Sequence, residues 1–206
     1  SMKKGTTMKH WLLAISLMIL GGGMSGCTGT SDLEWREEVR LSDGRIVIVE
    51  REAALAGGVS RNLVPDQFLG KIDEYRIRFA SPTEGKAIEW RSTKRDYLTY
   101  PETPLVFELD SSGQPVIFTI VGPVVATAPP CATYSKYVYQ NGTWVEESLP
   151  EQFRPMATNL VFVHKKEIPR LLTLIEKKKR NPADEYAPAF RQVGPTPKAC
   201  GKAYIR

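Results

Sequence analysis

The residues that could carry chemistry in this sequence of 206 residues are few and widely spaced. There are two histidines, His10 and His164, and three cysteines, Cys27, Cys131 and Cys200. The sequence lacks a Gly-x-Ser-x-Gly nucleophile elbow, a His-Glu-x-x-His zinc helix, a phosphate-binding glycine loop and any Cys-x-x-Cys pair. His164 ends an apolar segment, where a structural role is commoner than catalysis. The sequence therefore predicts no catalytic residue, no metal site and no cofactor.

Carboxylates could still act as a pair that is assembled from distant segments. A retaining glycoside hydrolase needs two carboxyl groups about 5–5.5 Å apart in space, whatever their separation in sequence. Adjacent pairs such as Glu146–Glu147 and Asp184–Glu185 lie in a predicted strand and a predicted tail, where like charges are ordinarily solvated. A hydrolase is therefore kept as the alternative to a non-catalytic binding protein.

A short apolar segment near the start, 11–20, follows Lys9 and His10 and contains one polar residue, Ser16. It is too short for a transmembrane helix, which needs about 20 apolar residues. A basic region, a short apolar region and then small residues are typical of an export signal. The sequence Met-Ser-Gly-Cys at 24–27 follows, and it resembles the lipobox of bacterial lipoproteins.

This resemblance implies that Cys27 receives a thioether-linked diacylglycerol, that the leader is cleaved before it, and that its new amino group is acylated. Two or more acyl chains give stable membrane attachment. Thr28, not Asp, follows Cys27. In the sorting rule of Gram-negative lipoproteins, this residue implies a location at the outer membrane, facing the periplasm.

The resulting organisation has three parts, and the first is the leader. Residues 1–26 are the signal peptide, in which Ser1 is interpreted as a cloning remnant and either Met2 or Met8 starts the natural chain. Residues 27–32 form a lipidated tether, and residues 33–206 form a single β-rich domain.

The positive charge of the chain comes mostly from the leader. The sequence has 28 Lys and Arg against 23 Asp and Glu, and removal of Lys3, Lys4 and Lys9 leaves 25 against 23. A balance this close to neutral provides no dominant basic face for phosphates. Nucleic acid is therefore not an expected partner, and the membrane is expected through the lipid anchor.

With Cys27 used by lipid, Cys131 and Cys200 remain as a pair in an oxidising compartment. We expect them to form a disulfide. In the chain-entropy model, closing a loop of this length contributes up to about 4 kcal/mol. The bond would fasten the C-terminal tail across the hairpin that carries Tyr134 and Tyr137.

Segments with the two-residue period of strands dominate the domain, and turn residues separate them. Two inner faces are clear: Tyr75, Ile77 and Phe79 in one strand, and Ile88 and Trp90 in the next. The pattern predicts an antiparallel β-sandwich or open barrel built from successive hairpins. The predicted strands cover 33–41, 45–51, 72–80, 86–92, 105–109, 116–121, 133–140, 143–147 and 159–164.

Two hairpin turns allow the strand register to be predicted. A two-residue turn at Asp43-Gly44 would pair Leu41 with Ile46 and Val39 with Ile48. A two-residue turn at Asn141-Gly142 would pair Tyr139 with Trp144, Val138 with Val145, and Lys136 with Glu147.

The period changes near the C-terminus. Ile168, Leu171, Leu172 and Ile175 recur at the spacing of an amphipathic helix, which is predicted over 166–180. The following residues, 183–206, are proline-rich and are expected to form an extended tail.

Two sequence patterns in the domain resemble those of uncharacterised Gram-negative envelope proteins. They are Asp43-Gly44-Arg45 and the set Tyr137, Tyr139, Asn141, Gly142 and Trp144. The resemblance implies no activity. The favoured hypothesis is a non-catalytic module that binds a protein or a cell-wall component, including as an inhibitor or exclusion factor; the alternative is a periplasmic hydrolase.

Exposed tyrosines are the candidate contacts of such a module, because an aromatic ring with a polar tip is favoured in interfaces. The loop 93–103 carries Tyr97 and Tyr100, and the hairpin at Asn141-Gly142 carries Tyr134 and Tyr137. We expect these four tyrosines to form the binding surface.

Overall fold

The computed structural model describes residues 33–55, 72–80, 85–96, 99–121, 133–150, 152–161, 168–180 and 191–194. Within these ranges the chain forms eleven strands and one short helix. The prediction of a mainly β, antiparallel fold with one C-terminal helix is confirmed, and no closed barrel is formed by the described residues. Cys27, Cys131, Cys200, Tyr97 and His164 lie outside the described residues.

The larger sheet contains the first four strands of the domain and one short strand from near its end. The strands are β1 (Leu33–Arg40), β2 (Ile46–Leu55), β3 (Ile72–Ala80), β4 (Ala87–Arg91) and β10 (Leu171–Leu172). Their order across the sheet is β10-β1-β2-β3-β4, and only the β10–β1 pair is parallel.

The second sheet is an antiparallel meander in the order of the chain. It contains β5 (Thr103–Leu109), β6 (Pro115–Val121), β7 (Thr133–Gln140) and β8 (Thr143–Glu147). A two-stranded ribbon pairs β9 (Met156–Ala157) with β11 (Gln192–Val193), and the helix α1 covers Leu174–Arg180.

The two large sheets pack face to face and form a β-sandwich. The ring centroids of Phe79 and Phe107, one from each sheet, lie 5.1 Å apart, and those of Trp90 and Tyr137 lie 5.6 Å apart. The predicted inner faces of β3 and β4 are confirmed, because all their apolar members are buried there. Strands β5 and β6 are buried on both faces, since Val193 and partly buried side chains from 149–156 cover the far side of this sheet.

Hydrogen bonds close each open side of the sandwich. On one side, Trp144 Nε1 on β8 donates a hydrogen bond to the carbonyl oxygen of Glu89 on β4, at 2.6 Å. On the other side, the backbone amide of Leu160 donates to the carbonyl oxygen of Leu105 on β5, at 3.0 Å. The strand predicted over 159–164 is not formed in its described part, 159–161, which has this capping role instead.

The two predicted registers have different outcomes. All three pairs expected around Asn141-Gly142 are confirmed, and both turn residues have positive φ, 51° and 82°. At Asp43-Gly44 the loop is one residue longer than predicted: the amide of Gly44 donates to the carbonyl of Leu41, and Gly44 has φ 90°. Val39 therefore faces Val47, and Ile46 and Ile48 are about half exposed.

The helix is much shorter than predicted. Leu171 and Leu172 form β10 instead, and Ile175 is 71% exposed. The helix starts late because Thr173 and Glu176 form a capping box, in which the Glu176 carboxylate accepts from the Thr173 backbone amide at 2.9 Å and the Glu176 amide donates to Thr173 Oγ1 at 3.3 Å. Of the four apolar residues expected on one helix face, Leu171 and Leu172 therefore belong to β10, Ile175 belongs to α1, and Ile168 precedes both elements.

Candidate functional site

The four candidate tyrosines are not equivalent. Tyr100 is 38% exposed, and Tyr134 is half-buried against the core on the far side of β6. Tyr137 is 6% exposed. Tyr137 is therefore a core residue, and its assignment to an exposed binding surface is corrected. Tyr97 lies outside the described residues.

Tyr137 packs in the core against Trp90, and its hydroxyl belongs to a hydrogen-bond network around the fully buried carboxylate of Glu102. The Tyr137 hydroxyl lies 2.9 and 3.0 Å from the two Glu102 oxygens, and Thr119 Oγ1 donates to one of them at 2.8 Å. The backbone amides of Thr93 and Lys94 donate to the other oxygen, at 2.8 and 3.2 Å. No cation of the described residues forms an ion pair with Glu102.

This network fixes Tyr137 in its neutral form. Burial raises the pKa of Tyr137 above its ordinary value, and the neighbouring Glu102 carboxylate raises it further. Glu102 and Tyr137 are both buried and bond to each other, so neither presents its oxygen atoms to a substrate outside the core. Glu102 and Tyr137 are therefore structural, and they hold the start of the loop 93–103 against β6 and β7.

The loop 93–103 folds back on itself. Arg95 and Pro101 form a β-bridge, and the Asp96 carboxylate accepts a hydrogen bond from the backbone amide of Tyr100 at 2.8 Å. The second carboxylate oxygen of Asp96 is buried and has no hydrogen-bond partner. Thr99 has a positive φ of 69°. These contacts hold the exposed ring of Tyr100 at the tip of a constrained loop.

A second buried polar cluster lies between β1, β2, α1 and residues 159–161. Glu37 on β1 points inward, and its carboxylate is 2.9 Å from Arg51 Nη1 and 2.7 Å from Lys177 Nζ. Trp35 Nε1 and the amide of Val161 also donate to Glu37. The Arg51 guanidinium stacks over the Trp35 ring at 5.0 Å. One carboxylate therefore pairs with two buried cations and fastens α1 and 159–161 to β1.

Lys177 changes the interpretation of the basic run at 177–180. Its ammonium is buried and donates to the carbonyl oxygens of Glu38, at 2.7 Å, and of Asn159, as well as to Glu37. Burial lowers the pKa of Lys177, and Glu37 opposes that effect. Lys178 and Lys179 are exposed. The first lysine of the run is thus part of the core, whereas the next two are solvated.

The outer face of the larger sheet carries a closed ring of six alternating charges. Glu52 bonds Arg76 and Arg78, Glu89 bonds Arg78 and Arg91, and Glu74 bonds Arg76 and Arg91. Burial alone would raise the pKa of Glu89, but hydrogen bonds from Arg78 and Arg91 lower it below its ordinary value. The three Glu and three Arg of the ring balance one another, so the ring itself offers no excess positive charge to a polyanionic partner.

A groove of about 470 Å³ opens where both sheets meet α1, and we call it the Glu108 groove. It is lined by Arg40, Leu41, Ser42, Glu108, residues 156–159, Leu174, Lys177 and Lys178. The Glu108 carboxylate accepts from the backbone amide of Ser42 at 2.9 Å and from Ser42 Oγ at 3.2 Å. Burial raises the pKa of Glu108. Most of the remaining wall is apolar.

A second depression, of about 570 Å³, lies between the turn at 110–114 and the tip of the β7–β8 hairpin. Asp110 is the one carboxylate among its lining residues. The Asp110 carboxylate accepts hydrogen bonds from the backbone amides of Ser112 and Gln114, at 2.8 and 2.9 Å, and so stabilises the turn in which it lies. The remaining lining is mostly polar, including Lys86, Gln140 and Asn141, and it lacks the apolar wall of the Glu108 groove.

Sequence reasoning missed the Glu108 groove. Glu108 occupies a polar position of a predicted alternating strand, which indicates a solvated side chain, and Ser42 sits in a predicted turn. Nothing in the sequence indicates that these two residues meet. Among the described residues, no group of three or more His, Cys, Asp or Glu side chains is placed to hold a metal ion.

No described helix is both long and apolar enough to cross a membrane.

Comparisons with known proteins do not assign this chain to a family. No family model, no curated protein and no solved structure matches the sequence or the fold.

Proposed function

We propose that this chain is a lipid-anchored lipoprotein of the cell envelope whose β-sandwich is a non-catalytic binding module for a protein or cell-wall partner. The leader and Cys27 support the anchor, and Thr28 supports an outer-membrane location facing the periplasm. A disulfide between Cys131 and Cys200 remains part of the proposal, and peptide mapping of the non-reduced chain tests it.

The observation that carries the binding assignment is the internal use of the buried carboxylates. Glu37 and Glu102 accept hydrogen bonds from donors inside the core, and Glu52 belongs to the ring of six charges. Among the described residues, Glu108 is the one carboxylate that lines the Glu108 groove. Since a glycoside hydrolase places two carboxyl groups across its cleft, this groove favours binding over hydrolysis.

The anchor is tested by replacing Cys27 with Ser. The variant is expected to lose all labelling by an alkyne fatty acid and to accumulate as uncleaved precursor, because the thiol is the acceptor of the diacylglycerol and lipidation precedes cleavage. Cys131→Ser is the matched control and should keep full labelling. Undiminished labelling of Cys27→Ser would contradict the lipoprotein assignment.

The binding surface is tested by affinity capture from native envelopes. Tyr100→Ala is expected to reduce recovery of a partner about tenfold or more, because exposed aromatic anchors contribute strongly to interfaces. Ile46→Ala, at an exposed residue of β2 in the larger sheet, serves as the control and should leave recovery unchanged. Equal recovery with both variants would remove Tyr100 from the proposed binding surface.

A separate assay tests the hydrolase alternative. Cleavage of an envelope polymer by the purified chain, abolished by Glu108→Gln, would favour the hydrolase over the binding module.

A further inference from the structure

The Glu108 groove has three chemically distinct parts, and the first is an anionic one. Glu108 is 9% exposed, and both of its hydrogen-bond donors come from the neutral residue Ser42. No cation of the described residues lies within ion-pair distance of the Glu108 carboxylate. The nearby Arg45 is paired with Asp43, at 2.6 Å. A largely buried carboxylate normally has a charged partner. Two donors also leave lone pairs of Glu108 unused.

The second part is cationic and lies at the rim. Arg40 and Lys178 line the groove and are exposed, and neither forms an ion pair with a described residue. Lys177, on the same wall, differs because its three acceptors already occupy its ammonium. The groove therefore presents two cations to solvent while its own wall holds a carboxylate.

The third part is the apolar wall, which includes Leu41, Met156 and Leu174. The volume of about 470 Å³ falls within the range of sites for small molecules, about 300–1,000 Å³. An anionic lipid would meet repulsion from Glu108, and a purely cationic ligand would meet repulsion from Arg40 and Lys178. A ligand that carries both charges on an apolar body satisfies all three parts.

We propose that the Glu108 groove binds a short peptide with a free ammonium group and a free carboxylate. The ammonium bonds Glu108, the apolar side chains pack on Leu41, Met156 and Leu174, and the carboxylate bonds Arg40 and Lys178. This inference deepens the proposed function, on which it rests, because it names the chemistry of the partner. Soluble peptides and the peptides of a cell wall share this chemistry.

The test is calorimetric titration of the full chain in detergent with three matched probes. These are the tripeptide Ala-Leu-Ala with both ends free, its N-acetylated form and its C-amidated form. The free peptide is expected to bind, and each capped form should bind about tenfold or more weakly, as expected for a lost charged contact. Equal affinity of all three, or no binding up to about 5 mM of the free peptide, would overturn the proposal.

Site-directed variants test which residue contacts each end of the peptide. In Glu108→Gln, N-acetylation of the peptide should no longer weaken its binding. In Lys178→Gln, C-amidation should weaken binding less than it does in the unmodified chain. Lys179→Gln removes the same charge outside the lining residues and should change neither effect. Ala157→Trp fills the groove from an exposed position and should weaken all three probes, so the proposal stays testable if Glu108→Gln folds poorly.

Sedimentation with purified cell wall distinguishes the two sources. Co-sedimentation that free Ala-Leu-Ala competes away assigns the groove to wall peptides, whereas titration without co-sedimentation assigns it to soluble peptides. The titration needs neither the anchor nor a captured partner. If it fails while capture through Tyr100 succeeds, the peptide site is wrong and the proposed function stands.

Discussion

Glu37→Gln is expected to lower the free energy of unfolding by about 3–5 kcal/mol, because it leaves two buried cations without their counter-ion. The side chains of Glu37 and Arg51 are 0% and 1% exposed, and Lys177 is 10% exposed. Burial already lowers the pKa of Arg51, and its Nε has no hydrogen-bond partner. A neutral amide cannot balance either charge, so the two cations would repel each other within the core.

Urea unfolding monitored by tryptophan fluorescence measures this loss. Glu34→Gln, at an exposed position of the same strand, is the control and should change stability by no more than about 0.5 kcal/mol. Adding Lys177→Met to Glu37→Gln should recover part of the loss, since one unpaired charge is removed. A loss below about 1 kcal/mol in Glu37→Gln would mean that the cluster contributes no more than a surface pair.

Glu102→Gln is expected to cost about 2–4 kcal/mol, for a different reason. The Glu102 carboxylate accepts hydrogen bonds from Tyr137, Thr119 and two backbone amides. A Gln amide would direct its NH₂ group at some of these donors, and the buried groups would stay unsatisfied. The network carries no ion pair among the described residues, so the loss reflects hydrogen bonding.

A double-mutant cycle with Tyr137→Phe isolates that contribution. Tyr137→Phe alone should cost about 1–2 kcal/mol, because the ring keeps its packing on Trp90 while the hydroxyl is lost. The double variant should lose less than the sum of the two single losses, because both remove the same hydrogen bond. Additive losses in the unfolding free energy would contradict a shared network.

Local sequence signals predicted most of the sandwich. Strand alternation identified the inner faces of β3 and β4, and Asn141-Gly142 fixed a register because both residues accept positive φ. At Asp43-Gly44 the same type of dipeptide belongs to a longer loop. The register of β2 against β1 is therefore shifted by one residue, which exchanges the two faces of β2. A dipeptide alone does not determine how many residues the loop contains.

The alternation of polar and apolar residues along the strands could not predict the buried polar side chains. Glu37 occupies an inward position of β1, but its counter-ions lie 14 and 140 residues away in the chain, on β2 and α1. Lys177 sits in a run of basic residues that indicates a solvated helix end. The Glu108 groove depends likewise on contacts between distant segments. The capping box Thr173-Leu-Ile-Glu176, in contrast, is a local signal that marks the late start of α1.

The ring of six charges on the larger sheet restricts which substitutions this surface tolerates. Each Glu touches two Arg and each Arg touches two Glu, so reversing one charge converts two attractions into two repulsions at once. A compensating reversal at one neighbour repairs only their shared contact and creates a new conflict at the next position. Single replacements of Arg by Lys or of Glu by Asp keep the alternation. We therefore expect homologues of this chain to vary at these six positions within one charge type, or to lose the ring as a unit.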